Sequence, residues 1–409
     1  RLPRSAVGKG RQEADEANKP AEVEAIEAFL LSQAEFRHNV ITHHCEIRWT
    51  EEAGFLPLTD RDVNTLWGRM NKTVGRVYLT DIYNVIHSEF VPLFNPFQSY
   101  FDHLPSWDGV SDPIGDLADT VHVKSDQAEF RDYFRKWFVG ILPALLDDTV
   151  VNHEILVLIG EQGLYKTTWF NFLLPPELRC YFYTKTNSDR LNKDDLFSLT
   201  EFALICFEEL DGMRPAELNQ LKAMVTMPYV NERAAYGRNK ERHPHIASFC
   251  GTGNNVQFLT DPTGNRRWLP FEVSQIRDPH LHAIPYELVY SQAYALWKSG
   301  FCHWFSQEEI RKLNMHNSRF EVPNLEEDLI RTHFRKPFEG EAGIFVTAAD
   351  ILEQISSCLR YPLSPNKIGR IMAGLEFESI RYKGKRGYIT VKKTGEDIDR
   401  ERRSGALGL

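Results

Sequence analysis

The chain has 409 residues and a formal net charge of −9, with 42% hydrophobic, 26% charged and 12% aromatic residues. That length accommodates about two to three domains with cores of their own, and the composition excludes a disordered or fibrous chain. The acidic balance also excludes a uniformly basic nucleic-acid coat, so any nucleic-acid contact has to be local. The six cysteines (Cys45, Cys180, Cys206, Cys250, Cys302 and Cys358) stand far apart with no C-x-x-C pair, which argues against a disulfide framework or zinc knuckle and for thiols in a reducing cytosol. There is no apolar run of about 18 residues and no signal peptide, so no membrane association is expected. A first residue of Arg1 instead of Met suggests a piece of something longer.

In chain order, residues 1–21 are polar and Gly/Pro-punctuated and read as a linker. Residues 22–148 form a mainly helical N-terminal domain in this reading. A helix through Ala25 and Leu30 leads to a hairpin around His38 to Trp49, with alternation at Val40, Thr42, His44 and Glu46. Thr59 and Asp62 have capping-box spacing at the start of a helix, another helix begins near Thr80, and a third runs from Phe130 to Leu146. From Glu154 to Ile159 the chain is a continuous apolar run, as in a strand buried on both faces. Further short apolar segments follow at 180–183, 202–207, 245–250 and 267–273, separated by helical or hairpin material. Strands alternating with helices predict an α/β core with a parallel sheet over residues 149–300. A helical connection (301–346), a small module of two helices and a β-pair (347–393) and a tail (394–409) complete the chain.

The chemistry concentrates in the central segment. Gly160-Glu-Gln-Gly163-Leu-Tyr165-Lys166-Thr167-Thr168 follows a buried strand and opens a helix, the context of a phosphate-binding loop. Its backbone amides would meet phosphate, Lys166 would reach the β/γ-phosphates and Thr167 would ligate Mg2+. Tyr165 stands where such loops usually carry glycine. The apolar strand ending at Phe207 delivers Glu208 and Glu209, assigned to the metal and to the attacking water respectively. A third strand runs into Gly251-Thr-Gly253-Asn254, whose amide can address that water or the γ-phosphate. Arg266 and Arg267 follow the turn Asp261-Pro-Thr-Gly264, and either suits an arginine finger presented to a neighbouring subunit.

Residues from about Asn39 to Val273 resemble the virulence-associated protein E (VapE) family of mobile-element ATPases, related to the superfamily 3 helicases of the AAA+ class. The resemblance rests on Leu58-Thr-Asp-Arg-Asp62-Val-Asn64, Leu104-Pro-Ser-Trp107-Asp108-Gly109, the Gly160 loop, Glu208-Glu209-Leu210-Asp211, Leu221-Lys222, Arg233 with Tyr236-Gly237-Arg238, Ser248 to Asn254, and Asp261 to Arg267. It implies an AAA+-like P-loop ATPase that uses ATP and Mg2+, assembles as a homo-oligomer, typically a hexamer, and acts in the cytoplasm in replication of a phage or integrative element. A primase-type domain upstream is often part of such proteins. The departures are Tyr165 for Gly and Glu208 for the commoner Asp.

DNA contacts are expected in two places. The span 227–245 matches the pore hairpin of ring helicases and carries Arg233, Arg238, Lys240 and Arg242, with Tyr229, Tyr236 and His243 interspersed. Arg233 can equally face the nucleotide. Between Lys367 and Lys393, eight basic residues stand against two acidic ones. Two helices and a hairpin with a Lys-Gly-Lys-Arg-Gly tip predict a winged helix, with Lys367, Arg370, Lys383, Lys385 and Arg386 as contacts. The reading is an ATP-dependent DNA helicase or translocase. Two alternatives stay open: a nucleotide-gated DNA-binding oligomer with weak ATPase activity, and a phage-defence or signalling ATPase. His43-His44 and His243-x-His245 have no Cys or acidic partners at ligand spacing and are not read as a metal site.

Overall fold

The computed structural model describes residues 22–186, 193–232, 241–260, 265–322, 325–338, 340–356 and 365–397. It divides into two compact units, Arg1–Phe320 and Glu321–Leu409.

The first unit begins with helix Val23–Gln33, which buries Ile26, Phe29 and Leu30. Strands β1 (Ala34–Asn39), β2 (His44–Trp49), β3 (Leu56–Pro57) and β4 (Leu93–Phe94) form a small sheet in the order β3-β2-β1-β4. The expected hairpin is present, but Val40 and Thr42 lie in its turn and not on a strand. The cause is local: the Asn39 side-chain oxygen accepts from the Ile41 and Thr42 amides at 3.0 and 3.2 Å, and His43 takes a φ of 56°. The Thr59–Asp62 capping box opens helix Asp60–Thr73.

The main sheet has six strands: β5 (Val121–Val123), β6 (Ile155–Ile159), β7 (Phe182–Lys185), β8 (Leu204–Phe207), β11 (Ser248–Gly253) and β12 (Trp268–Ile276), in the order β5-β12-β6-β11-β8-β7. All pairings are parallel except that of β5 with β12. Every residue of β6 is buried because both faces of the sheet are covered. Leu156 and Leu158 pack with Leu204, Leu269 and Phe271 against helix Gln127–Leu146. Ile155, Val157 and Ile159 pack on the other face with Phe207, Phe249 and residues of helix Pro215–Val225. The long helix thus shares a core with the sheet, and β5, from the same N-terminal stretch, extends the sheet at its edge. Strands β9 (Tyr229–Glu232) and β10 (Glu241–Pro244) pair as a separate antiparallel hairpin.

In the second unit, β13 (Phe334–Arg335), β14 (Ile344–Val346) and β15 (Ser379–Tyr382) all pair antiparallel with β16 (Lys385–Lys392). Helices Leu325–His333, Ala348–Ser356 and Pro365–Gly374 supply Ile330, Ile351, Ile355, Ile368 and Met372 to its core. The β15–β16 turn is only Lys383-Gly384, with φ of 47° and 77°, so Lys385, Arg386 and Gly387 belong to β16 and not to a loop.

Candidate nucleotide site

Parallel pairing brings the three expected loops to one edge of the main sheet. Ile159 lies beside Gly253, and Gly251 beside Phe207. Neighbouring strands are about 4.8 Å apart, so the loops leaving β6, β8 and β11 at their C-terminal ends converge. Between them lies a cleft of about 430 Å³ lined by Gly163, Tyr165, Lys166, Thr167, Thr168, Glu208, Glu209 and Asn254, among others.

Lys166 opens helix Lys166–Phe172 and is buried. Its Nζ donates to the carbonyls of Gly160 and Glu161 at 2.6 and 2.8 Å and to Oδ1 of Asn254 at 3.4 Å. Burial lowers its pKa, and the Asp211 carboxylate opposes that shift. The Thr167 hydroxyl donates to Oε1 of Glu208 at 2.7 Å. A hydroxyl and a carboxylate oxygen this close are hard oxygen donors, which fits Mg2+. Gly163 takes a φ of 85°, and the exposed Tyr165 takes the left-handed conformation at φ 59°. Glu209 is also left-handed, at φ 55°, where the chain leaves β8 for the short turn Leu210–Gly212.

That turn lies directly on β11. A Cβ at Gly251 would come within 2.2 Å of Leu210 Cδ1, and one at Gly253 within 3.0 Å of Asp211 Oδ1. Asp211 in turn accepts from the backbone amides of Asn254 and Asn255, each at 3.1 Å. Sequence reasoning assigned Asp211 no role. The signal available was the alternation Gly251-x-Gly253 on one strand face, which marks a close backbone approach.

Arg266 and Arg267 are not in this cleft. They precede β12, whose Trp268 pairs with Ile155 at the opposite end of β6, about 13 Å along the strand from the loop. Arg266 is exposed and Arg267 half-buried. Burial pushes the nearby Glu154 carboxyl up to about 7 and lowers the Arg267 pKa, with Arg266 adding to the latter.

Of the hairpin cations, Arg233, Arg238 and Lys240 lie outside the described residues. Arg242 is exposed, with its guanidinium 3.3 Å over the Tyr229 ring. In the second unit Arg370, Lys383, Lys385 and Arg386 are exposed, and Arg386 Nε donates to Ser379 Oγ at 2.8 Å. Lys367 is half-buried and ion-paired with the buried carboxylate of Glu326.

A family model of the virulence-associated protein E-like domain matches residues 102–322, more than half of the chain and all three loops of the cleft. The chain belongs to the virulence-associated protein E-like family. No curated protein matches it. Among solved structures, this family member is similar to the C-terminal region of NrS-1 in its apo form, at 12% identity and a TM-score of 0.46, covering 90% of this chain and 98% of that one. A mutant of Thermotoga maritima RuvB gives 10% identity and a TM-score of 0.25, over 66% of this chain and 94% of the other. Both scores are below 0.5, so neither likeness extends the family assignment. No described helix of the chain is long and apolar enough to cross a membrane.

Proposed function

We propose that this family member is an ATP-dependent DNA translocase or helicase that works as a ring, with a hexamer as the expected form, in replication of a phage or integrative element. The observation that carries the reading is the Thr167–Glu208 hydrogen bond at 2.7 Å beside Lys166, which joins the two separate sequence motifs at one cleft.

In this reading the backbone from Gly160 to Thr168 cradles the phosphates and Lys166 leaves its carbonyl partners to meet the β/γ-phosphate charge. Thr167 and Glu208 hold Mg2+, which supplies charge neutralisation on the phosphates. Glu209 takes the proton of the attacking water, and Asn254 orients that water against the γ-phosphate. Arg266 and Arg267, at the far edge of the sheet from their own cleft, serve the nucleotide of a neighbouring subunit. Their displacement along β6 supports action between subunits over action within one. Single-stranded DNA would follow the β9–β10 hairpin. The module 347–393 would act as a winged helix through Arg370, Lys383, Lys385 and Arg386, and a primase-type domain would precede the chain.

Replacing Lys166 by Ala is expected to abolish Mg-ATP turnover while the protein stays folded. A folded Lys166→Ala variant that hydrolyses ATP at near the parent rate would remove the motor reading. A second reading, an oligomer that binds nucleotide and DNA but hardly hydrolyses, is favoured by one observation: the left-handed Tyr165 inside the phosphate loop.

A further inference from the structure

Asp211 stands outside the phosphate loop, the metal pair and the strand-tip asparagine, yet it joins two of the loops that form the cleft, lying in the one after β8 and bonding the one after β11. It lies in the turn Leu210–Gly212, three residues after Glu208. Its two carboxylate oxygens each take one of two consecutive amides just beyond β11, Oδ1 from Asn254 and Oδ2 from Asn255, both at 3.1 Å. Successive amides that converge in this way form an anion-binding concavity, and hydrogen bonds to an ionised acceptor are the stronger kind. The contact depends on two further features already in the sequence. Gly253 has no Cβ to push the carboxylate away, and the left-handed Glu209 turns the chain back over β11.

We propose that Asp211 is a positioning residue: by clamping the Asn254 and Asn255 amides it fixes the Asn254 side chain relative to Lys166 and to Glu208 and Glu209. Without the clamp the strand tip after Gly253 is an exposed loop end, free to move its amide away from the reacting phosphate. With it, the loop carrying the metal ligand and base and the loop carrying the asparagine become one rigid piece.

The catalytic part of this inference rests on the nucleotide-site reading; the clamp itself does not. The test therefore has two readouts on the parent, Asp211→Ala and Asp211→Asn. The first is amide hydrogen exchange at Asn254 and Asn255 in the nucleotide-free protein, which should accelerate several-fold in Asp211→Ala and less in Asp211→Asn, whose single side-chain oxygen keeps one acceptor. The second is steady-state ATP hydrolysis beside ADP binding. Asp211→Ala should lose kcat by about 10- to 100-fold, as misplacement of an orienting group does, with the ADP Kd within about threefold of the parent. Unchanged exchange at those amides, or a kcat within about twofold of the parent, would overturn the proposal. Equal losses of ADP affinity and thermal stability in both variants would also overturn it, since that marks a merely structural residue. If the parent itself neither hydrolyses ATP nor binds ADP, the nucleotide reading fails and the exchange measurement alone decides the clamp. Should Asp211→Ala not fold, Asp211→Asn carries both readouts.

Discussion

Tyr165 holds a backbone conformation that costs an L-residue about 1–2 kcal/mol, because its Cβ crowds the neighbouring carbonyl. With the residue 42% exposed, little packing offsets that cost. Tyr165→Gly is therefore expected to raise stability by about 1 kcal/mol, read as a higher midpoint in thermal or denaturant unfolding. An unchanged or lowered midpoint would mean that the ring makes a compensating contact. At this scale, residues whose place in the cleft follows from local spacing were legible in the sequence: Lys166 and Thr167 from the loop and Glu208 from the strand tip. Contacts that depend on strand neighbours were not. Asp211 acquires its partners only because β8 and β11 are adjacent, and Lys367 pairs with Glu326, distant in sequence from it.

Elements show the same division. Continuous apolar runs identified β6 and β8 because strands covered on both faces carry no alternation. The strand expected at 245–250 runs instead from Ser248 to Gly253. Glycines usually end a strand, but here Gly251 and Gly253 continue one because Leu210 and Asp211 occupy the space of their side chains. The residues displaced from that strand include His245, buried behind the β9–β10 hairpin, where its Nδ1–H donates to the Met227 carbonyl at 2.7 Å. Burial pushes its pKa down to about 4 from the ordinary 6.5. The folded imidazole therefore stays neutral while the unfolded one protonates, so its contribution is fully present above pH 6.5 and is lost as pH falls toward 4. That loss is about 3 kcal/mol across the window. His245→Gln should flatten the fall in stability between pH 7 and pH 4.5; equal pH slopes in parent and variant would contradict the assignment.

For the whole molecule, a net charge of −9 conceals a segment with eight basic and two acidic residues between Lys367 and Lys393. Most of those cations lie on or beside the β15–β16 hairpin of the second unit. In the proposed function, such a division lets an acidic body meet nucleic acid only at restricted sites, where cations displace the counterions of the phosphates. The mixed α/β fold with its parallel core was legible from the alternation of apolar runs with helical stretches. The placement of β5 on the main sheet was not, since three residues carry too little pattern to choose a partner. In the proposed motor, nucleotide turnover and strand contact are coupled. The most direct test is the rate of Mg-ATP hydrolysis by the protein with and without single-stranded DNA. The account predicts hydrolysis that single-stranded DNA accelerates several-fold and that Lys166→Ala abolishes; no hydrolysis, or a rate indifferent to DNA, would contradict it.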